Sequence, residues 1–137
     1  MNIAICTSFS FAKEAIEIKN DLEKLGHTVV MPHNIHLYAD GTLPPETREA
    51  SVENKIKYSL IRGYFERIAE SDAILVTNKD KKEIKNYIGG NTFLEIGFAH
   101  VLNKKIFLLN PIPAMPYSDE ISAMEVKVID NDLAKIV

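Results

Sequence analysis

Short apolar runs alternate with helical patterns along the whole chain. Each run has the length of a buried strand, and five are predicted: 3–6, 28–31, 73–76, 105–109 and 126–129. In residues 11–25 and 46–70, apolar positions recur at steps of three and four, which indicates amphipathic helices. Shorter helices are predicted at 93–102 and 118–124. Because strands and helices alternate, we expect one parallel sheet with helices on both faces.

Three residues mark boundaries of these helices. Ser10 is expected to cap the N-terminus of the first helix, and Gly26 is expected to end it in the usual C-terminal manner. Gly63 interrupts the long helix 46–70, where it predicts a kink or a close approach of chains.

The order of the strands decides which loops meet. We predict a single flavodoxin- or Rossmann-like α/β domain over residues 1–137, with the common strand order 2-1-3-4-5. Ligands bind such sheets beyond the carboxyl ends of the strands where the chain reverses direction, here the first and third. Residues 7–11 and 77–95 therefore face one crevice. Residues 33–45, which lack a hydrophobic period, predict a long loop that could cover it, and 78–87 predict a second, exposed loop.

Composition narrows the class of protein. The chain has 137 residues, of which 46% are hydrophobic and 26% charged, as in an ordinary globular domain. Its net charge of −3 at pH 7 lacks the basic balance of a protein that binds duplex nucleic acid. Cys6, the single cysteine, excludes an internal disulfide. No run reaches the length of a membrane span, and residues 1–3 do not begin a signal peptide, so we expect a cytoplasmic protein with no membrane partner.

The segment 87–99 holds the strongest candidate chemistry. Gly89 and Gly90 let a ligand approach the main chain, and the helix that follows can hold an anion or a sugar hydroxyl at its N-terminus. Glu95 is expected in the first turn of that helix. Thr92 and Glu95 fit a capping box, so the carboxylate is either a cap partner or a catalytic group. In either case the helix N-terminus would favour its ionised form.

A longer pattern surrounds this segment. Residues 94–99 read Leu-Glu-Ile-Gly-Phe-Ala, residues 104–109 read Lys-Lys-Ile-Phe-Leu-Leu, and Ser71-Asp72 opens the third strand. From residue 3 to residue 109 the chain resembles the nucleoside 2-deoxyribosyltransferase superfamily, which includes the deoxynucleoside monophosphate N-glycosidases. The resemblance implies cleavage or transfer at the N-glycosidic bond of a (deoxy)nucleoside or nucleoside monophosphate, with Glu95 as the nucleophile that forms a covalent deoxyribosyl-enzyme.

The same resemblance implies the rest of the site. It implies no cofactor and no metal, and a homo-oligomer, most simply a dimer, in which a neighbour completes the pocket. Residues predicted to bind the substrate border the crevice: Thr7, Ser8, Phe9, Tyr64, Asn78, Gly89, Gly90 and Asn91.

The chain also departs from the pattern of that superfamily. Acidic residues that assist the nucleophile in the superfamily are replaced here by Tyr64 and Gly89, and the loop 7–11 has neither the tyrosine nor the phosphate-binding arginine of its relatives. These losses favour an alternative, a non-catalytic module that binds or senses nucleotides with the same pocket. A third hypothesis is hydrolysis of a larger nucleotide such as NAD.

Structural roles compete at the remaining polar positions. Asp72 precedes its strand and is expected to cap the far end of the sheet, and Cys6 is expected to be a buried small residue. His33 and His36 lack the carboxylate or cysteine partners of a metal site. Four lysines form a solvated loop face or, as a weaker alternative, attract a substrate phosphate: Lys79, Lys81, Lys82 and Lys85.

Overall fold

The computed structural model describes residues 1–137 and contains one five-stranded parallel sheet. Its strands are β1 (Asn2–Cys6), β2 (Thr28–Val30), β3 (Ala73–Val76), β4 (Lys105–Leu108) and β5 (Lys127–Val128). Its helices are α1 (Ala12–Lys24), α2 (Ile35–Ala39), α3 (Arg48–Lys57), α4 (Leu60–Glu70), α5 (Gly90–Val101) and α6 (Ser118–Ala123). The strand order is β2-β1-β3-β4-β5, so the predicted fold class and order are confirmed.

Side chains alternate between two cores, one on each face of the sheet. On one face Ile3 and Ile5 of β1 pack with Ala15 and Leu22 of α1. On the other face Ala4 and Cys6 of the same strand pack with Ile68 of α4 and with Ile96 and Ala99 of α5. This period-2 alternation in fully buried strands explains why the runs are apolar throughout, and it confirms helices on both faces.

The end of the sheet away from the strand carboxyl termini is closed by Asp72. Its carboxylate accepts a hydrogen bond of 2.7 Å from the backbone N–H of Asn2, and its own N–H donates to the Asn2 carbonyl at 2.8 Å. Asp72 thus has the structural role that its position before β3 predicts.

No helix of the chain combines the length and apolar character needed to cross a bilayer.

The first helix begins later than expected, and Ser10 does not cap it. Ser8 caps a short 3-10 helix at Phe9–Phe11, with its hydroxyl accepting from the Ser10 N–H, and α1 follows from Ala12 without a side-chain cap. Gly26 has a φ of +91°, a left-handed conformation in which glycine meets no Cβ penalty, so its predicted role after the helix is confirmed.

The segment between β2 and β3 differs most from the prediction. Residues 33–45 are not wholly irregular, because they contain α2. The long helix 46–70 is two helices, and the break lies at Ser59, whose φ of +49° cannot continue a right-handed helix. Gly63 lies within α4, where its N–H donates to the Ser59 carbonyl at 2.8 Å, and no neighbouring atom lies within 4 Å of where a Cβ would stand, so it marks neither a kink nor a close approach of chains. Val52 and Ile56 are exposed and do not extend the buried stripe of α4.

Candidate active site

A cavity of about 1360 Å³ opens at the carboxyl ends of β1 and β3. Its walls come from the loops after β1, β2 and β3 and from α3, α4 and α5. Every residue predicted for the site lines this one cavity: Thr7, Ser8, Phe9, Tyr64, Asn78, Gly89, Gly90, Asn91 and Glu95. The sequence therefore located the crevice, while the roles of these residues stay predictions.

Glu95 does not occupy a capping position. Helix α5 begins at Gly90 with Gly89 as its cap, earlier than the predicted start at residue 93, so Glu95 lies beyond the first turn. Thr92 is inside the helix, and no side chain bonds the cap. The capping-box alternative is therefore wrong, because Thr92 and Glu95 lack the N-cap and N3 geometry that it requires.

The Glu95 carboxyl is buried and has no hydrogen-bond partner in the protein. The residue is 5% exposed, and every fully buried side-chain oxygen or nitrogen of the chain has a hydrogen-bond partner. The unpartnered Glu95 oxygens are therefore not sealed in the core, and they face the cavity that Glu95 lines. A buried carboxyl group that faces a cavity is within reach of whatever binds there.

Burial also sets the charge of Glu95. Desolvation raises the pKa of this carboxyl from its ordinary value of 4.5 to about 8. The expected stabilisation of the ionised form by the helix N-terminus is absent, since Glu95 lies past the first turn, where that effect fades. Two neighbours are likewise kept neutral. Burial first, and then the nearby Glu95 charge, raises the pKa of the Cys6 thiol, and burial together with Cys6 and Glu95 raises that of the Tyr64 hydroxyl.

Two of the predicted substrate contacts have their polar atoms engaged by the protein. The Tyr64 hydroxyl donates to the Ile5 carbonyl, which ties α4 to β1. The Asn78 amide donates to the carbonyls of Asn110 and Pro111, at 2.8 and 3.1 Å, and accepts from the Asn110 N–H at 3.0 Å. Both residues thus build the cavity wall, and their side-chain donors are already committed to backbone carbonyls.

Lys81 reaches from the loop after β3 to the loop after β1. Its Nζ donates to the Ser8 Oγ at 2.8 Å, and that hydroxyl lies 2.8 Å from the Ser10 hydroxyl. Burial, followed by the neighbouring Lys82, lowers the pKa of Lys81. Lys81 and Lys82 line the cavity, whereas Lys79 and Lys85 do not, so the lysines do not form one solvated face.

Basic side chains dominate the cavity although the chain as a whole is acidic. Only two carboxylates line it, Glu46 and Glu95, against six basic side chains: His33, Arg48, Lys55, Arg67, Lys81 and Lys82. The two salt bridges of the chain both lie within α1, so no cavity cation is neutralised by one. A concave basic surface of this kind attracts an anionic ligand.

No three histidine, cysteine, aspartate or glutamate side chains converge as a metal site would require.

Comparison with solved structures identifies the fold. A 2-deoxyribosyltransferase from the psychrotolerant bacterium Bacillus psychrosaccharolyticus matches with a TM-score of 0.50 and 22% identity, over 79% of this chain and 71% of its own. The CMP N-glycosidase BcmB of Clostridium botulinum matches with a TM-score of 0.51 and 16% identity, over 94% of this chain and 87% of its own. The chain has the 2-deoxyribosyltransferase fold. No protein-family model and no curated protein matches the sequence.

Within the 2-deoxyribosyltransferase fold, Tyr38 and Glu46 are among the cavity residues that sequence reasoning missed. The Tyr38 ring, on α2, stacks on Phe9 with centroids 4.3 Å apart and planes 14° from parallel. Both residues fall in or beside the segment that was predicted to be irregular. The signal that could have found α2 is the spacing of Ile35 and Tyr38, three residues apart, as on one face of a helix turn.

Proposed function

We propose that the chain is an enzyme that cleaves or transfers at the N-glycosidic bond of a deoxynucleoside monophosphate, with Glu95 as the nucleophile. The observation that carries the proposal is the Glu95 carboxyl, buried and without a protein partner, at the cavity on the carboxyl edge of the sheet. The likeness to a 2-deoxyribosyltransferase and to a CMP N-glycosidase supports the class of reaction through the shared fold.

The reaction proceeds in two displacements. A Glu95 carboxylate oxygen forms a bond to C1′ of the sugar while the bond from C1′ to the base nitrogen breaks, and the base leaves with the bonding electrons and takes up a proton from water. Water or a second base then attacks C1′, the bond to Glu95 breaks, and the carboxylate is regenerated. Two inversions give overall retention, as in retaining glycosidases.

The basic lining supports a monophosphate rather than a free nucleoside as substrate. Ser8, in the loop after β1, and Lys81, in the loop after β3, present a hydroxyl and an ammonium group 2.8 Å apart. A phosphate oxygen can accept from both groups at once, and charge-assisted bonds of this kind are about twice as strong as neutral ones.

Replacing Lys81 by glutamine tests the phosphate assignment. We expect KM for a deoxynucleoside monophosphate to rise about tenfold or more, since one charge-assisted hydrogen bond is lost. KM for the corresponding nucleoside should stay the same, because it carries no phosphate. Lys85→Gln, in the same loop but outside the cavity, is the matched control. An equal change in KM for both substrates would show that Lys81 does not bind phosphate.

A non-catalytic module that binds or senses nucleotides is the second candidate. It is favoured by Tyr64, which stands where the superfamily carries an acid and whose hydroxyl is bonded to a backbone carbonyl. Incubation with a panel of deoxynucleosides and their monophosphates, followed by chromatography for free base, separates the two. Base release supports the enzyme, and tight binding with no released base supports the module.

We also propose that the chain forms a homodimer through an apolar face on α3, α4 and α5. Seven of the nine exposed large hydrophobic side chains lie on these three helices or, for Tyr58, directly after α3: Val52, Ile56, Tyr58, Ile61, Phe65, Leu94 and Val101. Phe65 and Phe98 join α4 to α5 edge to face, with centroids 5.2 Å apart. Stable interfaces bury roughly 800 Å² per partner, and removal of such a face from water is what drives association.

Light scattering tests the dimer. The wild type should have twice the chain mass at micromolar concentration, and combined Ile61→Lys and Val101→Lys changes should give a monomer, because two buried charges oppose association. Leu25→Lys, at the residue that follows α1 and is 53% exposed, should leave the dimer intact. A monomeric wild type would contradict the proposal.

A further inference from the structure

Tyr38 and Glu46 line the cavity but have no part in the glycosidic chemistry above. The Tyr38 ring lies nearly parallel to Phe9, and both rings line the cavity. Glu46 lies just before α3, whose first turn is fixed by the Thr47 hydroxyl accepting from the Ala50 N–H at 3.2 Å. We name the stacked pair the Phe9–Tyr38 platform. The platform and the Glu46 carboxylate therefore line the same cavity.

The Glu46 carboxylate is held by a hydrogen bond from Asn54, and it can still accept hydrogen bonds from a ligand. The Asn54 amide donates to one of its oxygens at 3.3 Å. Its carboxylate lies beside the Tyr38 hydroxyl, and after burial it is the next cause that raises the pKa of Tyr38 to about 12. Glu46 makes no salt bridge, although Arg48 and Lys55 line the same cavity. A carboxylate has about four acceptor sites, so with Asn54 and the Tyr38 hydroxyl against it, about two stay available to a ligand.

We propose that the Phe9–Tyr38 platform stacks the nucleobase and that Glu46 selects bases with an exocyclic amino group over their oxo counterparts. The proposal rests on the proposed function for the class of ligand. Aromatic rings stack on any base without reading its sequence. Discrimination comes from the carboxylate, which accepts from the amino group of cytosine or adenine and is repelled by the carbonyl oxygen that uracil or hypoxanthine presents at the same position.

Two matched substrate pairs test this assignment. In each pair, dCMP with dUMP and dAMP with dIMP, an amino group is replaced by a carbonyl oxygen at one position. We expect the wild type to prefer the amino member at least tenfold in kcat/KM. Glu46→Gln should reduce that preference at least tenfold, since a glutamine amide can donate to the carbonyl oxygen. Glu49→Gln, exposed on α3 and outside the cavity, should leave the preference unchanged.

A separate variant tests the platform. Tyr38→Ala should raise KM for all four nucleotides by similar factors, because stacking does not distinguish amino from oxo bases. A change in KM that is confined to one member of each pair would overturn the stacking role of Tyr38.

The outcomes separate this inference from the proposed function. If base is released but the wild type does not discriminate within the pairs, or Glu46→Gln keeps the preference, the inference fails while the function stands. If no base is released, the function fails, and equilibrium binding of the same four nucleotides decides the inference. A binding preference for amino bases that Glu46→Gln removes would support it, and equal affinities would overturn it.

Discussion

Glu95→Gln should abolish glycosidic cleavage, lowering kcat by roughly 10⁴-fold or more, the scale of losing a nucleophile. An amide cannot attack C1′, while its shape matches that of the carboxyl. Glu95 caps no helix and makes no hydrogen bond to another protein group. Glutamine at position 95 therefore takes over no structural role of the glutamate. The measurement is base release by chromatography under single-turnover and steady-state conditions.

Control reactions isolate the effect of the carboxylate. Glu66→Gln, exposed on α4 and outside the cavity, should keep wild-type activity. In the wild type, kcat/KM should rise with pH through about 8 and level off above it, because only the ionised carboxyl of Glu95 is nucleophilic and burial raises its pKa to about 8. Activity close to wild type in Glu95→Gln would remove Glu95 from the mechanism.

The same substitution should stabilise the fold, and increasingly so as pH rises. The pKa of the Glu95 carboxyl is about 8 in the folded chain against an ordinary 4.5, so the folded state binds the proton more tightly. The stability that the wild type gains from this tighter proton binding is fully present below pH 4.5 and is lost as pH rises through 8. The stability advantage of Glu95→Gln should therefore grow by roughly 3 kcal/mol between pH 5 and pH 8.

Urea denaturation at a series of pH values measures this difference. The buried Cys6 and Tyr64 stay neutral through the window, since burial raises the pKa of each well above its ordinary value, and they are present in both proteins. A difference in the free energy of unfolding that does not change with pH would contradict a buried, unpartnered carboxyl at position 95.

Much of the fold follows from local patterns. The buried strands read as apolar runs because both faces of β1 and β3 are covered, and the order β2-β1-β3-β4-β5 places their loops at one cavity. Gly26 was predictable, because a left-handed residue after a helix favours glycine. The apolar runs and the glycine depend on few neighbours, so sequence alone indicates them, whereas the strand order was expected only because it is common in such sheets.

Other features depend on contacts between distant segments. The start of α5 at Gly90 was missed, because Thr92 matches the ordinary preference for a cap and Gly89 does not carry a capping side chain. The break at Ser59 uses a left-handed serine, which no local rule favours. Tyr38 becomes a cavity residue only through its stacking on Phe9, which comes from another loop. The raised pKa of Glu95 likewise arises from burial by surrounding elements.

The central claim is that Glu95 forms a bond to the sugar, and trapping that bond tests it most directly. A 2-fluorinated deoxynucleoside monophosphate slows the second displacement, so intact-mass measurement should show the wild-type chain heavier by one fluorinated sugar phosphate, with peptide mapping placing the adduct on Glu95. Glu95→Gln should gain no mass. Base release by the wild type with no adduct, or an adduct on another residue, would contradict the account.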